Sequence, residues 1–382
     1  MGKQIAIDIR HLTHPQLSGV GLYTLNLLRV LSRIANDDEH FLLFATGSKK
    51  TLTRLPPLPT RNMTLVTRTI PNRLLFAALR MPYGPTLESF FDIPPDCWWF
   101  PDPNVIRTNL PYALTLHDLS IDIFSHFFTA KDKLRHRVAN VPKLAKNATR
   151  VLAVSQSTAL DATARWGVNT NRIDIIPLGV NAQYTPHIAP SDKNYQRGYG
   201  LSSPYILFLA TLEPRKNIES VIEAYDAFRA KTPHAPRLVI AGGDGWQNRN
   251  IKTVMRTATH RADISFLGYI HEKHKPAIYR GATAFVFPSF YEGFGLPVLE
   301  AMACGIPVIT SFTSSLPEVA GNAAIFVDPL NVTDLTMAIT QLFHPETGAS
   351  LRTLLSKRGI AQSRQFSWEK TAELTLNALR TI

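Results

Sequence analysis

Apolar residues in this chain alternate between short extended runs and helical stripes. Residues 3–9, 41–46, 63–67, 112–117, 150–155 and 173–176 read as strands, with segments of helical length between several of them. Residues 10–21 read as a loop. Residues 22–35 read as an amphipathic helix, with Leu27, Val30, Leu31 and Ile34 on one side and Asn26, Arg29 and Arg33 on the other. That alternation predicts a parallel sheet covered by helices. From 181 to 204 the character changes: Pro186, Pro190, Gly198, Gly200 and Pro204 stand among polar residues and predict a linker.

A second alternation follows. It runs strand 205–210, helix 217–230, strand 237–241, helix near 249–259, strand 263–267, helix 272–280, strand 283–287, helix 297–303 and strand 306–310. At 382 residues the chain is long for one core, so two α/β domains are expected. The expected division is 1–185, a linker 186–204, 205–367, and a last helix 368–382. In doubly wound sheets ligands bind at the C-terminal ends of the strands. Two such domains facing each other would leave a cleft for one.

Hydrophobic content of 45% and charged content of 18% fit a folded globular protein. Net charge is +12, most of it in the first half of the chain, and attracts phosphate-bearing partners. Residues 131–150 form a basic stretch with Leu134, Val138 and Val141 placed on one helical face. It reads either as a solvated helix or as a contact for an anionic membrane or lipid phosphate. The segment 73–80, with Phe90 and Phe91 beyond it, reads as a core helix or as a second such contact. No nucleic-acid module is recognised.

Two cysteines, Cys97 and Cys304, make no disulfide framework, and no Cys/His cluster of metal-binding spacing occurs. The N-terminus lacks the apolar core of a signal peptide, and no run of apolar residues is long enough to span a bilayer. A cytoplasmic protein, peripheral on the inner membrane face where the basic surface attaches, is the expectation.

The densest chemistry lies at 286–309. An apolar run from Ala284 to Phe287 leads into a glycine-rich turn, and Pro297 can open a helix behind it. Glu292 and Glu300 bracket that turn. Strand, turn and helix start make an anion site of backbone N–H groups. Carboxylates beside it suit a ligand with hydroxyls as well as phosphate, such as a sugar nucleotide. Arg215 and Lys216, in Glu213-Pro-Arg-Lys-Asn217, lie near a helix N-terminus, where cations are locally unfavourable and imply a bound anion such as a diphosphate. Gly19-Val-Gly21 lets backbone approach a diphosphate or is a common helix-opening turn. His117-Asp118 ends a strand where ligands sit, and a histidine there either orients a sugar hydroxyl or is structural.

Residues 290–309, Phe-Tyr-Glu-Gly-Phe-Gly-Leu-Pro-Val-Leu-Glu-Ala-Met-Ala-Cys-Gly-Ile-Pro-Val-Ile, resemble the signature of the family 4 retaining glycosyltransferases. The resemblance covers nearly the whole chain. Ser18-Gly-Val-Gly21, His117-Asp118, Val154-Ser155, Ile176-Pro-Leu-Gly-Val180, Leu212-Glu-Pro-Arg-Lys-Asn217, Ala241-Gly-Gly243, Phe266-Leu-Gly-Tyr269, Leu316-Pro-Glu-Val-Ala-Gly321 and Phe366-Ser-Trp-Glu369 follow in the family's order. Two departures stand out: Ser18 replaces the first glycine of the usual Gly-Gly-x-Gly, and Leu209-Ala-Thr-Leu212 lacks an arginine that some members carry.

The resemblance implies a GT-B fold of two Rossmann-like domains, with the last helix crossing back to the first. It implies that Arg215 and Lys216 bind the donor diphosphate with amides near Gly19, Gly21, Gly293, Phe294 and Gly295. Glu300 would bind the ribose, Glu292 the sugar hydroxyls, and Tyr269 and Ile270 the base. His117 would stand at the reacting centre. No metal or other cofactor would be needed. The segments look most like bacterial O-antigen and exopolysaccharide mannosyltransferases, implying GDP-mannose as donor, a saccharide or lipid-linked acceptor, and no nucleic acid. Rhamnosyl or glucosyl donors, a GT-B epimerase or phosphorylase, and a charge-driven binding protein are the alternatives.

Overall fold

The structure is a computed structural model that describes every residue except Met1, Gln16, Ser202, Ser203, Asp244, Trp246, Gln247 and Asn248. Gln16 of the expected 10–21 loop, and Ser202 and Ser203 of the expected linker, therefore lie outside the described residues. Two compact units emerge. One comprises residues 1–119, 130–179 and 367–382, and the other residues 120–129 and 180–366.

Among the described residues the first unit carries seven parallel strands: β1 (Gln4–Asp8), β2 (His40–Thr46), β3 (Met63–Arg68), β4 (Cys97–Phe100), β5 (Tyr112–Leu116), β6 (Arg150–Ala153) and β7 (Ile173–Ile175). Their order across the sheet is β3-β2-β1-β4-β5-β6-β7. The second unit carries β8 (Tyr205–Leu209), β9 (Arg237–Ala241), β10 (Ile264–Gly268), β11 (Ala282–Phe287), β12 (Val308–Ser311) and β13 (Ala324–Val327), in the order β10-β9-β8-β11-β12-β13. Each sheet is doubly wound. The strand order reverses between β1 and β4 in one and between β8 and β11 in the other, and those are the points where such sheets bind ligands. The central strands are apolar on both faces, as fully covered parallel strands must be: Tyr205 to Leu209 are all buried.

Several elements differ from the sequence expectation. The first helix runs Gly19–Ile34 and starts three residues early, because the Ser18 hydroxyl accepts the Gly21 N–H at 3.3 Å and caps it. Gly19 and Gly21 thus stand in the first helical turn. Strand β4 is only four residues, Cys-Trp-Trp-Phe, too short to announce itself, yet it occupies the middle of the sheet. The stretch 131–150 is two helices, Ala130–Ala139 and Val141–Asn147, broken where Asn140 takes a left-handed φ of 51°. Leu134 is exposed while Val141 is buried, so the expected single apolar face does not form. In the helix Asn72–Arg80, only Leu75 and Leu79 are buried.

The expected linker is also structured in part. A helix Asp192–Gly198 lies within it, and Asp192 makes a two-point ion pair with Arg280 at 2.6 and 2.7 Å. Arg280 also donates to the Thr185 carbonyl. This segment is therefore part of the second unit's body. The last helix, Trp368–Arg380, belongs to the first unit. Its Thr371 hydroxyl donates to the Pro177 carbonyl at 2.8 Å, and Arg380 pairs with Glu39. Gly179 permits the close approach: a Cβ there would lie 2.2 Å from the Trp368 nitrogen.

Candidate active site

Two chain segments leave the switch point of the second sheet. After β8 the chain makes a short 3-10 turn, Pro214–Lys216, closed by Asn217 with a φ of 58°. The Asn217 amide donates to the Pro288 and Pro329 carbonyls and so ties this turn to the segment after β11. The Phe290 N–H donates to the Arg215 carbonyl at 2.9 Å. That segment ends at Gly295, whose φ of 111° suits glycine, and the helix Leu296–Ala303 begins behind it. A Cβ at Gly295 would also come within 2.8 Å of Leu316.

This framework brings Arg215, Lys216 and Glu292 into direct contact. The Lys216 ammonium donates to one Glu292 oxygen at 2.6 Å and the Arg215 guanidinium to the other at 3.0 Å. Arg215 further donates to the Tyr291 carbonyl and to Glu213. The Ser289 hydroxyl completes the Glu292 carboxylate at 2.5 Å. Burial alone would push Glu292 up, but Arg215 and Lys216 hold it at about 2. Two cations and two carboxylates, all nearly buried, are thus gathered at a switch point. Glu213 and Ser289 were not singled out from sequence. Only the register of the folded turns shows that they face Arg215 and Glu292.

Glu300 forms a separate cluster. The Tyr279 hydroxyl donates to it at 3.0 Å, and Tyr184, buried in the 181–204 segment, packs edge-on against the Tyr279 ring at 5.9 Å. Burial, helped by the nearby Glu272 charge and opposed by Lys275, leaves the Glu300 carboxyl above its ordinary range. Lys275 in turn pairs with Glu272, just beyond Tyr269 and Ile270. Tyr269 is exposed at the end of β10, whereas the Ile270 side chain is buried. Phe294 is buried against Phe366 at 5.7 Å, so only its backbone can meet a ligand. Gly293 lies between Glu292 and Phe294, whose carbonyls both accept from Ser315.

In the first unit, His117 follows β5. Its Nε2 lies 2.8 Å from the Pro101 carbonyl, which can only accept, so Nε2 carries the proton. Burial lowers the His117 pKa, opposed by Pro101 and Asp118, which keeps the ring neutral at pH 7 with Nδ1 as an acceptor. Tyr23, on the helix that Gly19 and Gly21 open, packs edge-on against it at 4.8 Å. A Cβ at Gly19 would meet nothing within 4 Å. At this sheet's switch point Arg10 pairs with Asp8 in a fully buried two-point contact, and burial raises Asp102 to about 6. Sequence reading passed over all three, because isolated charged residues at the ends of apolar runs carry no spacing signal.

Among the described residues no group of three or more His, Cys, Asp or Glu side chains could hold a metal. No helix among them is long and apolar enough to cross a membrane.

Residues 17–184 match the model of glycosyltransferase family 4, and residues 194–362 match that of the group 1 glycosyl transferases. An O-antigen chain mannosyltransferase B of Escherichia coli is 31% identical over 96% of this chain and 97% of its own. The chain belongs to the family 4 glycosyltransferases. It is a sugar-transferring enzyme with a GT-B fold of two Rossmann-like domains. In fold this glycosyltransferase is similar to a sucrose-phosphate synthase of Thermosynechococcus elongatus, with a TM-score of 0.73 at 20% identity over 99% and 98% of the two chains. It is also similar to HepE of Anabaena, solved with UDP and glucose, with a TM-score of 0.70 at 18% identity over the whole of both.

Replacing His117 by alanine is expected to depress turnover far more than donor affinity. Steady-state kinetics beside calorimetric donor titration check this, and wild-type turnover would remove the histidine from the reaction.

Proposed function

We propose that this enzyme moves mannose from GDP-mannose to a saccharide or lipid-linked acceptor in the assembly of a bacterial surface polysaccharide, with retention of the anomeric configuration. The observation that carries the reading is the Arg215–Lys216–Glu292 constellation at the switch point of the second sheet. A nucleoside diphosphate would draw Lys216 and Arg215 toward its phosphate oxygens. The two cations stabilise the charge that grows there as the bond to the sugar breaks. The O-antigen mannosyltransferase likeness over almost the full chain supports mannose over other hexoses.

In this reading the anomeric carbon–oxygen bond breaks and the diphosphate leaves with the electron pair. The acceptor oxygen bonds the same face of that carbon, and its proton passes to the departing phosphate. Glu300 accepts from the ribose hydroxyls and Glu292 from the sugar. Tyr269 and the Ile270 backbone meet the base. The amides of Gly19, Gly21, Gly293, Phe294 and Gly295 assist at the phosphates. His117 Nδ1 accepts from a sugar hydroxyl. Arg215 and Lys216 would neutralise the departing diphosphate without a metal, and the enzyme works peripherally on an anionic membrane.

A thermal-shift screen against GDP, UDP, ADP and TDP sugars tests the donor. Ligand at a hundredfold excess over its dissociation constant stabilises the native state by about 2.7 kcal/mol. GDP-mannose is expected to give the largest shift, and EDTA to leave transfer intact. A larger shift with another sugar nucleotide would replace the donor.

A further inference from the structure

The first unit holds a cavity of about 510 Å³ away from all of these residues. Arg80, Arg107 and Lys143 line it, together with apolar side chains that include Leu79, Val105, Val138 and Leu144. No carboxylate is among the lining residues. Arg107 is fixed, donating to the Met81 and Pro82 carbonyls. Arg80 and Lys143 lie on helix surfaces exposed to solvent. Three cations without a lining counter-charge form a site for an anion.

The apolar wall does not stop at the cavity mouth. Val138 lines the cavity, and Leu134, one turn earlier on the same helical face, is 58% exposed. On the other side Arg107 holds the Met81 carbonyl, with the Met81 side chain 61% exposed, and Tyr83 stands fully in solvent. Lys131, Lys133, Arg135 and Arg137 surround Leu134 in sequence. An anion pocket rimmed by exposed apolar side chains and further cations has the chemistry of a lipid headgroup lying under its acyl chains.

Position separates this cavity from the reaction. It touches Tyr112, the first residue of β5, and Leu144 and Asn147 of the helix before β6, whereas His117 follows the far end of β5. Five residues of strand are about 17 Å. A phosphate held here is therefore not the group that reacts.

We infer that this cavity binds the phosphate headgroup of an anionic glycerophospholipid in a bilayer and docks the enzyme there. The inference rests on the membrane part of the proposed function and is independent of the donor. Flotation with vesicles of phosphatidylglycerol and phosphatidylcholine tests it on the full chain. Wild type floats, and vesicles of phosphatidylcholine alone leave it behind. Arg80→Gln with Lys143→Gln is expected to weaken binding roughly thirtyfold, from two basic contacts at a membrane surface. The charge-matched pair Lys49→Gln with Lys50→Gln, on a different exposed helix, keeps near wild-type binding. Leu134→Ser, at an exposed position that does not threaten folding, weakens binding several-fold.

Equal losses in the two double variants would show that net charge alone does the work and would overturn the site. So would the absence of flotation, or stabilisation of wild type but not Arg80→Gln/Lys143→Gln by inorganic phosphate without any vesicle binding. Thermal shift by GDP is recorded on every variant. A failure of the donor reading removes that shift from wild type as well, whereas a failure of the lipid site leaves it in place.

Discussion

Lys216→Ala lowers kcat/KM by roughly a hundred- to a thousandfold, the usual loss when one group stabilising transition-state charge is removed. The ammonium sits 2.6 Å from Glu292 and 5.2 Å from the centre of the Phe287 ring, within a network that is nearly dry. Its charge therefore acts with little screening. Nucleoside-diphosphate affinity falls in the same variant, read by calorimetry, while a remote exposed lysine changed to alanine leaves it intact.

The substitution also changes stability with pH. Glu292 titrates at about 2 in the folded chain, below its ordinary 4.5. A depressed carboxylate stabilises the fold above the ordinary value and loses that contribution as pH falls toward the folded one. Without Lys216, Arg215 and Ser289 alone hold the carboxylate. The folded value rises, and the variant unfolds at a less acid pH than wild type. Unchanged nucleotide affinity and an unchanged acid transition would together remove Lys216 from the site.

Arg280→Ala destabilises the second unit by about 3–5 kcal/mol, because it strands the Asp192 carboxylate. Asp192 is 2% exposed and receives both arms of the guanidinium. For a body of this size the loss corresponds to a fall of roughly 10 °C in its melting transition, followed by calorimetry. Asp192→Asn leaves partial hydrogen bonding and costs less. If residues 192–198 were a loose tether, neither substitution would move the transition.

The alternation of strands and helices was legible because buried parallel strands are continuous apolar runs, as at Tyr205 to Leu209. The motif around Glu292 was legible because glycine and proline punctuate it where the backbone must turn, with Gly295 at positive φ and Pro297 at the helix start. Three features were not. The order in the 181–204 segment comes from a long-range pair, Asp192 with Arg280, and proline and glycine content is silent about such pairs. The break at Asn140 joins one left-handed residue to Pro142 in the first turn of the next helix, and the continuous run of basic residues on either side masked it. The partners of Glu292 lie 76 and 77 positions away, so sequence placed Lys216, Arg215 and Glu292 in one site but not on one another.

A crystal structure of the enzyme soaked with GDP tests the central arrangement most directly. The pyrophosphate is expected within hydrogen-bonding distance of the Lys216 ammonium and the Arg215 guanidinium, with ribose hydroxyls on Glu300. A nucleotide bound elsewhere, with Lys216 and Arg215 still closed on Glu292, would contradict it.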